Sequence, residues 1–122
     1  MKQGLVLFAH GSRDPDWAQP FEKILSAVVR ARPECAVRLA YLEHMTPSLP
    51  DALAQLQAGG VRSVRVVPLF FGLGGHLKED LPRLVAEAPR GLDVRITPPI
   101  GEQDVVIDAI ARAIARDSPA SP

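Results

Sequence analysis

Four apolar runs, each followed within a few residues by an amphipathic stretch, constrain this chain more than any other property. Residues 5–9 form a continuous apolar run closed by His10-Gly11-Ser12, which reads as a strand buried on both faces and then a turn. Phe21, Ile24, Leu25 and Val28 recur at helical spacing, and Pro33 stops that helix at Arg32. Asp14 before Pro15 starts a loose turn. A proline inside a helix costs about 3 kcal/mol, so with Pro20 present the main helix is expected from about Gln19.

The second run, 37–42, alternates. Val37, Leu39, Tyr41 and Glu43 fall on one face, and Arg38, Ala40, Leu42 and His44 on the other, so only one of Glu43 and His44 is expected to face a shared cleft. Ser48 caps the next helix, Asp51 suits its positive end, Leu49, Leu53 and Leu56 make its buried stripe, and Gly59-Gly60 ends it. Residues 64–71 are the third and most apolar strand, running into Gly72-Leu73-Gly74-Gly75 and His76. Leu81, Leu84 and Val85 mark a short helix that Asp80 caps before Pro82. Residues 93–97 give a fourth strand, and Val106, Ile107, Ile110 and Ile114 a last helix. Residues 117–122 are a polar tail expected to be disordered.

Alternation of strand and helix with short connections implies an α/β fold, a parallel sheet with right-handed crossovers and helices on both faces. The expectation is a single small flavodoxin-like domain over residues 1–116, with four strands in the order 2-1-3-4. A length of 122 residues leaves no room for a second full domain, and 47% apolar residues supply a core without staples. The 14 basic residues balance 14 acidic ones, so no global field draws the chain to nucleic acid or to an anionic membrane. No apolar run nears the roughly 20 residues that span a bilayer. Cys35, the only cysteine, forms no internal disulfide, and a cytoplasmic protein is expected.

Sheets of this kind bind ligands beyond the carboxyl ends of their strands where the order switches, here between strands 1 and 3. The three histidines, His10, His44 and His76, each follow a different strand end, and His10 and His76 flank that switch point. Glu43 ends strand 2 beside them. Two imidazoles and a carboxylate suit a divalent first-row metal such as Fe, Co, Ni or Zn. A hydrogen-bonded turn role is open to each histidine, most of all to His44. Ser12 lies in no GxSxG elbow and is read as a turn or capping residue. Residues 72–75 lack the phosphate-loop pattern, yet glycines there can turn backbone N–H groups toward an anion. Cys35 is read as inert and Trp17 as packing.

The stretches Leu7-Phe8-Ala9-His10-Gly11-Ser12-Arg13-Asp14-Pro15, Tyr41-Leu42-Glu43 with Pro47-Ser48-Leu49, and Val67-Pro68-Leu69-Phe70-Phe71 through Gly75-His76 to Asp80-Leu81-Pro82 resemble the short-form sirohydrochlorin chelatases of the class II chelatase group. The resemblance runs to about Arg116 and rests on the combination of HGSR with a downstream PLF…GGH…DLP. It implies a chelatase-like fold and a lyase that inserts Co2+ or Fe2+, with Ni2+ a further option, into sirohydrochlorin on the route to cobalamin or sirohaem. It implies His10 and His76 as metal ligands and proton acceptors, with Glu43 completing the metal and catalytic set. His44 stands outside the pattern. The metal is a substrate, and no tightly bound cofactor is expected.

Elementary chemistry agrees. Two pyrrole N–H protons must leave while the ion sheds water, which requires exchangeable ligands and a base titrating near neutrality, and histidine meets both requirements. The substrate's carboxylates are expected to meet Ser12, Arg13, Gly74, Gly75 and Lys78 around the histidines. A tetrapyrrole is about as broad as the edge of a four-stranded sheet, so a second copy is expected to supply the other wall in a homodimer. The final helix around Ile107, Ile110 and Ile114 serves either that interface or the core. Two rival readings are a metal-binding or carrier protein without turnover and a small hydrolase with a single histidine base.

Overall fold

The computed structural model describes residues 2–116, so the expected tail at 117–122 lies outside the described residues. Strands β1 (Gln3–Ala9), β2 (Ala36–Tyr41), β3 (Ser63–Pro68) and β4 (Asp93–Ile96) alternate with helices α1 (Gln19–Ala31), α2 (Leu49–Ala58), α3 (Gly75–Ala86) and α4 (Asp104–Arg116). All pairings are parallel and the order is β2-β1-β3-β4, the order the alternation predicts. Among the described residues no helix is long and apolar enough to cross a membrane.

β1 is apolar from Leu5 to Ala9 because both of its faces are covered there. Val6 and Phe8 join Ala40, Val66, the Leu49, Leu53 and Leu56 stripe of α2, and Leu81 of α3 in one cluster. Leu7 and Ala9 join Leu39 and Tyr41 beneath Trp17, Phe21, Leu25 and Val28 in the other. Helices α2 and α3 therefore cover one side of the sheet and α1 the opposite side. Local signals agree: Pro20 sits in the first turn of α1, where its missing N–H leaves no bond unmade. Ser48 Oγ accepts from the Asp51 N–H at the start of α2.

Two expectations change, and one left open is narrowed. β3 ends at Pro68, short of Phe71: after the Leu69 N–H donates to the Phe8 carbonyl at 2.8 Å, Phe70 and Phe71 leave the sheet. Helix α3 begins at Gly75, well ahead of Pro82, with Gly74 extended at its cap position. Asp80 is thus an interior residue and not a cap. Leu77, Leu81, Leu84 and Val85 all pack into the first cluster, and that burial outweighs the bond Pro82 cannot make. The last helix adds nothing to the intrachain core, since none of its residues is buried.

Candidate active site

The site begins where β1 and β2 end. Beyond the last sheet residues the Leu42 N–H donates to the Ala9 carbonyl at 2.9 Å and the Glu43 N–H to the His10 carbonyl at 3.1 Å, so the two exit loops stay zipped together. Gly11 makes this possible. Its φ is +90°, and a Cβ there would stand 1.8 Å from the Glu43 carbonyl oxygen. The zipped loops bring His10 Nδ1 to 3.6 Å from Glu43 Oε1 and 3.4 Å from the Gly11 carbonyl. Both neighbours of Nδ1 are acceptors. That arrangement favours the tautomer with its proton on Nδ1 and leaves the Nε2 lone pair free to bind a metal or take a proton.

Strand parity predicts opposite directions for Glu43 and His44, and the structure corrects this. β2 stops at Tyr41, and His44 takes a positive φ of 66° that turns it back on its neighbour. His44 Nε2 lies 3.7 Å from Glu43 Oε1, while Arg13 Nε donates to His44 Nδ1 at 3.4 Å. Arg13, His44, Glu43 and His10 form one polar row along the carboxyl edge. Arg13 is therefore engaged within the row.

Across from His10 lies the start of α3. A cleft of about 320 Å³ is lined by His10, Leu42, Gly74, Gly75, His76, Leu77 and Asp80. His76 occupies the first turn of α3 and Asp80 the same flank one turn later. Gly74 and Gly75 leave that wall open, because a Cβ at either would meet nothing within 4 Å. Among the described residues no group of three or more His, Cys, Asp or Glu side chains is close enough to hold a metal ion. Glu43, expected as a ligand beside the two histidines, sits at Nδ1 of His10 and is not among the residues lining the cleft.

Other expected site residues fall outside the cleft lining. Ser12 Oγ accepts from the Asp14 N–H at 3.1 Å in the turn after His10. Lys78 is exposed on α3, and Trp17 stacks on Phe21 with ring centroids 4.5 Å apart. Two residues of the site escape sequence reasoning. Phe70 stands edge-on to both Phe8 (6.0 Å) and His10 (6.3 Å), filling the space beside the imidazole. Asp80 joins His76 in the cleft, a pairing visible in the sequence as an i, i+4 spacing only once α3 is known to start at Gly75.

Comparison with known proteins adds independent findings. Residues 4–117 match the CbiX family. A sirohydrochlorin cobaltochelatase of Methanococcoides burtonii is 25% identical over 120 residues, covering 89% of this chain and 92% of that one. The crystal structure of a cobalamin biosynthesis CbiX protein of Marinobacter aquaeolei superposes with a TM-score of 0.81 at 34% identity, over 94% of this chain and 96% of that one. The sirohydrochlorin chelatase SirB of Bacillus subtilis, solved in complex with cobalt, gives a TM-score of 0.77 at 25% identity, over 96% of this chain and 51% of that one.

Proposed function

The chain belongs to the CbiX family, and from that premise we propose that it is a sirohydrochlorin chelatase inserting cobalt(II) into the macrocycle on the way to a cobalamin. The names of its relatives support the reaction class and the metal. The observation that carries the reading is that His10 and His76 both line one cleft at the carboxyl edge of the sheet. A chelatase needs to present the ion weakly and let it go with the product, and two imidazoles suit that task better than a closed cage. The macrocycle's own nitrogens complete the coordination.

Each residue then has a role. His10 and His76 bind the incoming ion and accept the pyrrole protons. Glu43 fixes His10 in the tautomer with Nε2 exposed and stabilises the imidazolium that forms when Nε2 takes a proton. The row of Arg13 and His44 behind Glu43 holds that carboxylate in place. Iron(II) and nickel(II) suit the same donors, so the choice of cobalt rests on the relatives. The cytoplasm remains the proposed compartment, on the reduced state expected of Cys35.

Anaerobic mixing of sirohydrochlorin with cobalt(II), iron(II) or nickel(II), with and without the protein, tests the proposal through the macrocycle's visible spectrum. Faster cobalt insertion in the presence of protein is expected. A rate equal to the uncatalysed background with all three metals refutes it, and stoichiometric metal binding without acceleration points to the carrier reading.

A further inference from the structure

The edge of the sheet opposite the histidine cleft gathers three arginines around one hollow. The strands run parallel, so Gln3 and Ser63, which open β1 and β3, lie side by side at the amino edge. Helix α1 runs back toward that edge and delivers Arg32 to it as its C-terminal cap residue. There the chain leaves a hollow of about 250 Å³ whose lining includes Gln3, Arg32, Ser63, Arg65 and Arg95.

Two of these charges are set against each other. Arg65 and Arg95 are register partners on β3 and β4, so they share one face of the sheet on strands about 4.8 Å apart. Like charges directly opposite one another are destabilising. Among the described residues nothing offsets them: no ion pair involves either arginine, and Asp93, on the same face two residues before Arg95, neither pairs with it nor lines the hollow. Arg32 differs, because its Nε donates to Glu34 Oε2 and the carbonyl end of α1 suits a cation. That bond leaves both terminal nitrogens of its guanidinium available.

The donor set defines the ligand. A guanidinium only donates, and among the described residues no carboxylate and no aromatic ring lines the hollow, so it takes an acceptor-rich anion and not a cation or a nucleobase. Arginine forks match the oxygens of carboxylate and phosphate groups. Three forks with a hydroxyl and an amide exceed what the two oxygens of a carboxylate can accept, and they match a phosphate group with its additional oxygens and second charge. The hollow is also smaller than the about 300–1,000 Å³ of ordinary organic-ligand sites, which favours a compact ion over a nucleotide.

We propose that this hollow binds a small dianionic phosphate group, carried by inorganic phosphate or by a compact alkyl phosphate, with Arg65 and Arg95 bridging its oxygens from adjacent strands and Arg32 closing a third side. The bound anion offsets the repulsion between the paired arginines. The site lies at the other end of the sheet from His10 and His76, takes neither metal nor macrocycle, and does not depend on the chemistry proposed above.

Equilibrium dialysis of the full chain against radiolabelled inorganic phosphate in a chloride buffer near neutral pH tests it. A single bound phosphate per chain is expected. Arg65→Gln and Arg95→Gln are each expected to weaken binding about tenfold or more, the loss of a charge-assisted hydrogen-bonding partner. Arg62→Gln, which removes an exposed arginine outside the hollow, is expected to leave binding unchanged. All three side chains are exposed, so each variant is expected to keep the parent's far-ultraviolet circular dichroism spectrum. Displacement of the label by glycerol phosphate extends the site to phosphate esters, and displacement by unlabelled phosphate alone assigns it to the free ion. No binding, displacement by succinate as effective as by phosphate, or binding undiminished in both Arg65→Gln and Arg95→Gln overturns the proposal.

Discussion

Gly11 faces the carbonyl of Glu43 so closely that a Cβ would stand 1.8 Å from its oxygen, and no other residue fits between the loops leaving β1 and β2. This contact is the joint of the site. It lets the Glu43 N–H reach the His10 carbonyl and sets the carboxylate beside the imidazole.

Gly11→Ala is expected to destabilise the fold by about 2 kcal/mol or more, since the methyl group meets a carbonyl oxygen and the positive φ is itself unfavourable. Urea denaturation monitored by tryptophan fluorescence measures the change. A midpoint equal to the parent's means that the loops are not zipped as described.

Replacing His10 or His76 by alanine is expected to slow metallation by about 10²-fold, the usual loss for a positioned base or ligand, with folding retained. His44→Ala is expected to cost less than either, and Glu43→Gln about tenfold through disordering of His10. Initial rates of cobalt insertion, background subtracted, rank the four. Parent-like rates for both His10→Ala and His76→Ala remove them from the site.

Tyr41 offers a spectroscopic handle because it is the only tyrosine. Burial, with the charge of Glu22 second, pushes its phenol above the ordinary 10.0. The folded chain therefore holds this proton more tightly than the unfolded one. Its contribution to stability is complete below the unfolded value and is lost as pH rises through the folded one. Absorbance at about 295 nm is expected to show ionisation later than in a denatured control, and Tyr41→Phe is expected to flatten the alkaline loss of stability. Coincident native and denatured titrations contradict this.

Pro82 occupies an exposed interior position of α3. Pro82→Ala restores a helical N–H and is expected to raise stability by about 1–3 kcal/mol. Thermal unfolding reads the gain directly, and a lowered Tm shows that the proline conformation is needed there.

The sheet was legible because unbroken apolar runs separated by amphipathic stretches admit few arrangements, and the order β2-β1-β3-β4 matches expectation. What escaped the sequence depends on contacts between distant residues. Strand parity holds through Leu42 and fails at His44, whose positive φ belongs to a turn and not to a strand. The glycine run before His76 looks like a loop, and only the burial of Leu77 and Leu81 against the sheet shows that the helix already begins at Gly75. The edge-on contact of Phe70 with His10 joins two strand exits and leaves no local pattern.

The division between core and rim sets how freely this protein can drift. Val6, Phe8, Leu53 and Val66 have no accessible surface, whereas the side chains of His10 and Glu43 are 55% and 49% exposed. Substitutions on such exposed side chains are mostly near neutral for folding, while those in the core are not. Gly11 excepted, the rim can therefore accumulate changes over generations without approaching the threshold at which the scaffold fails.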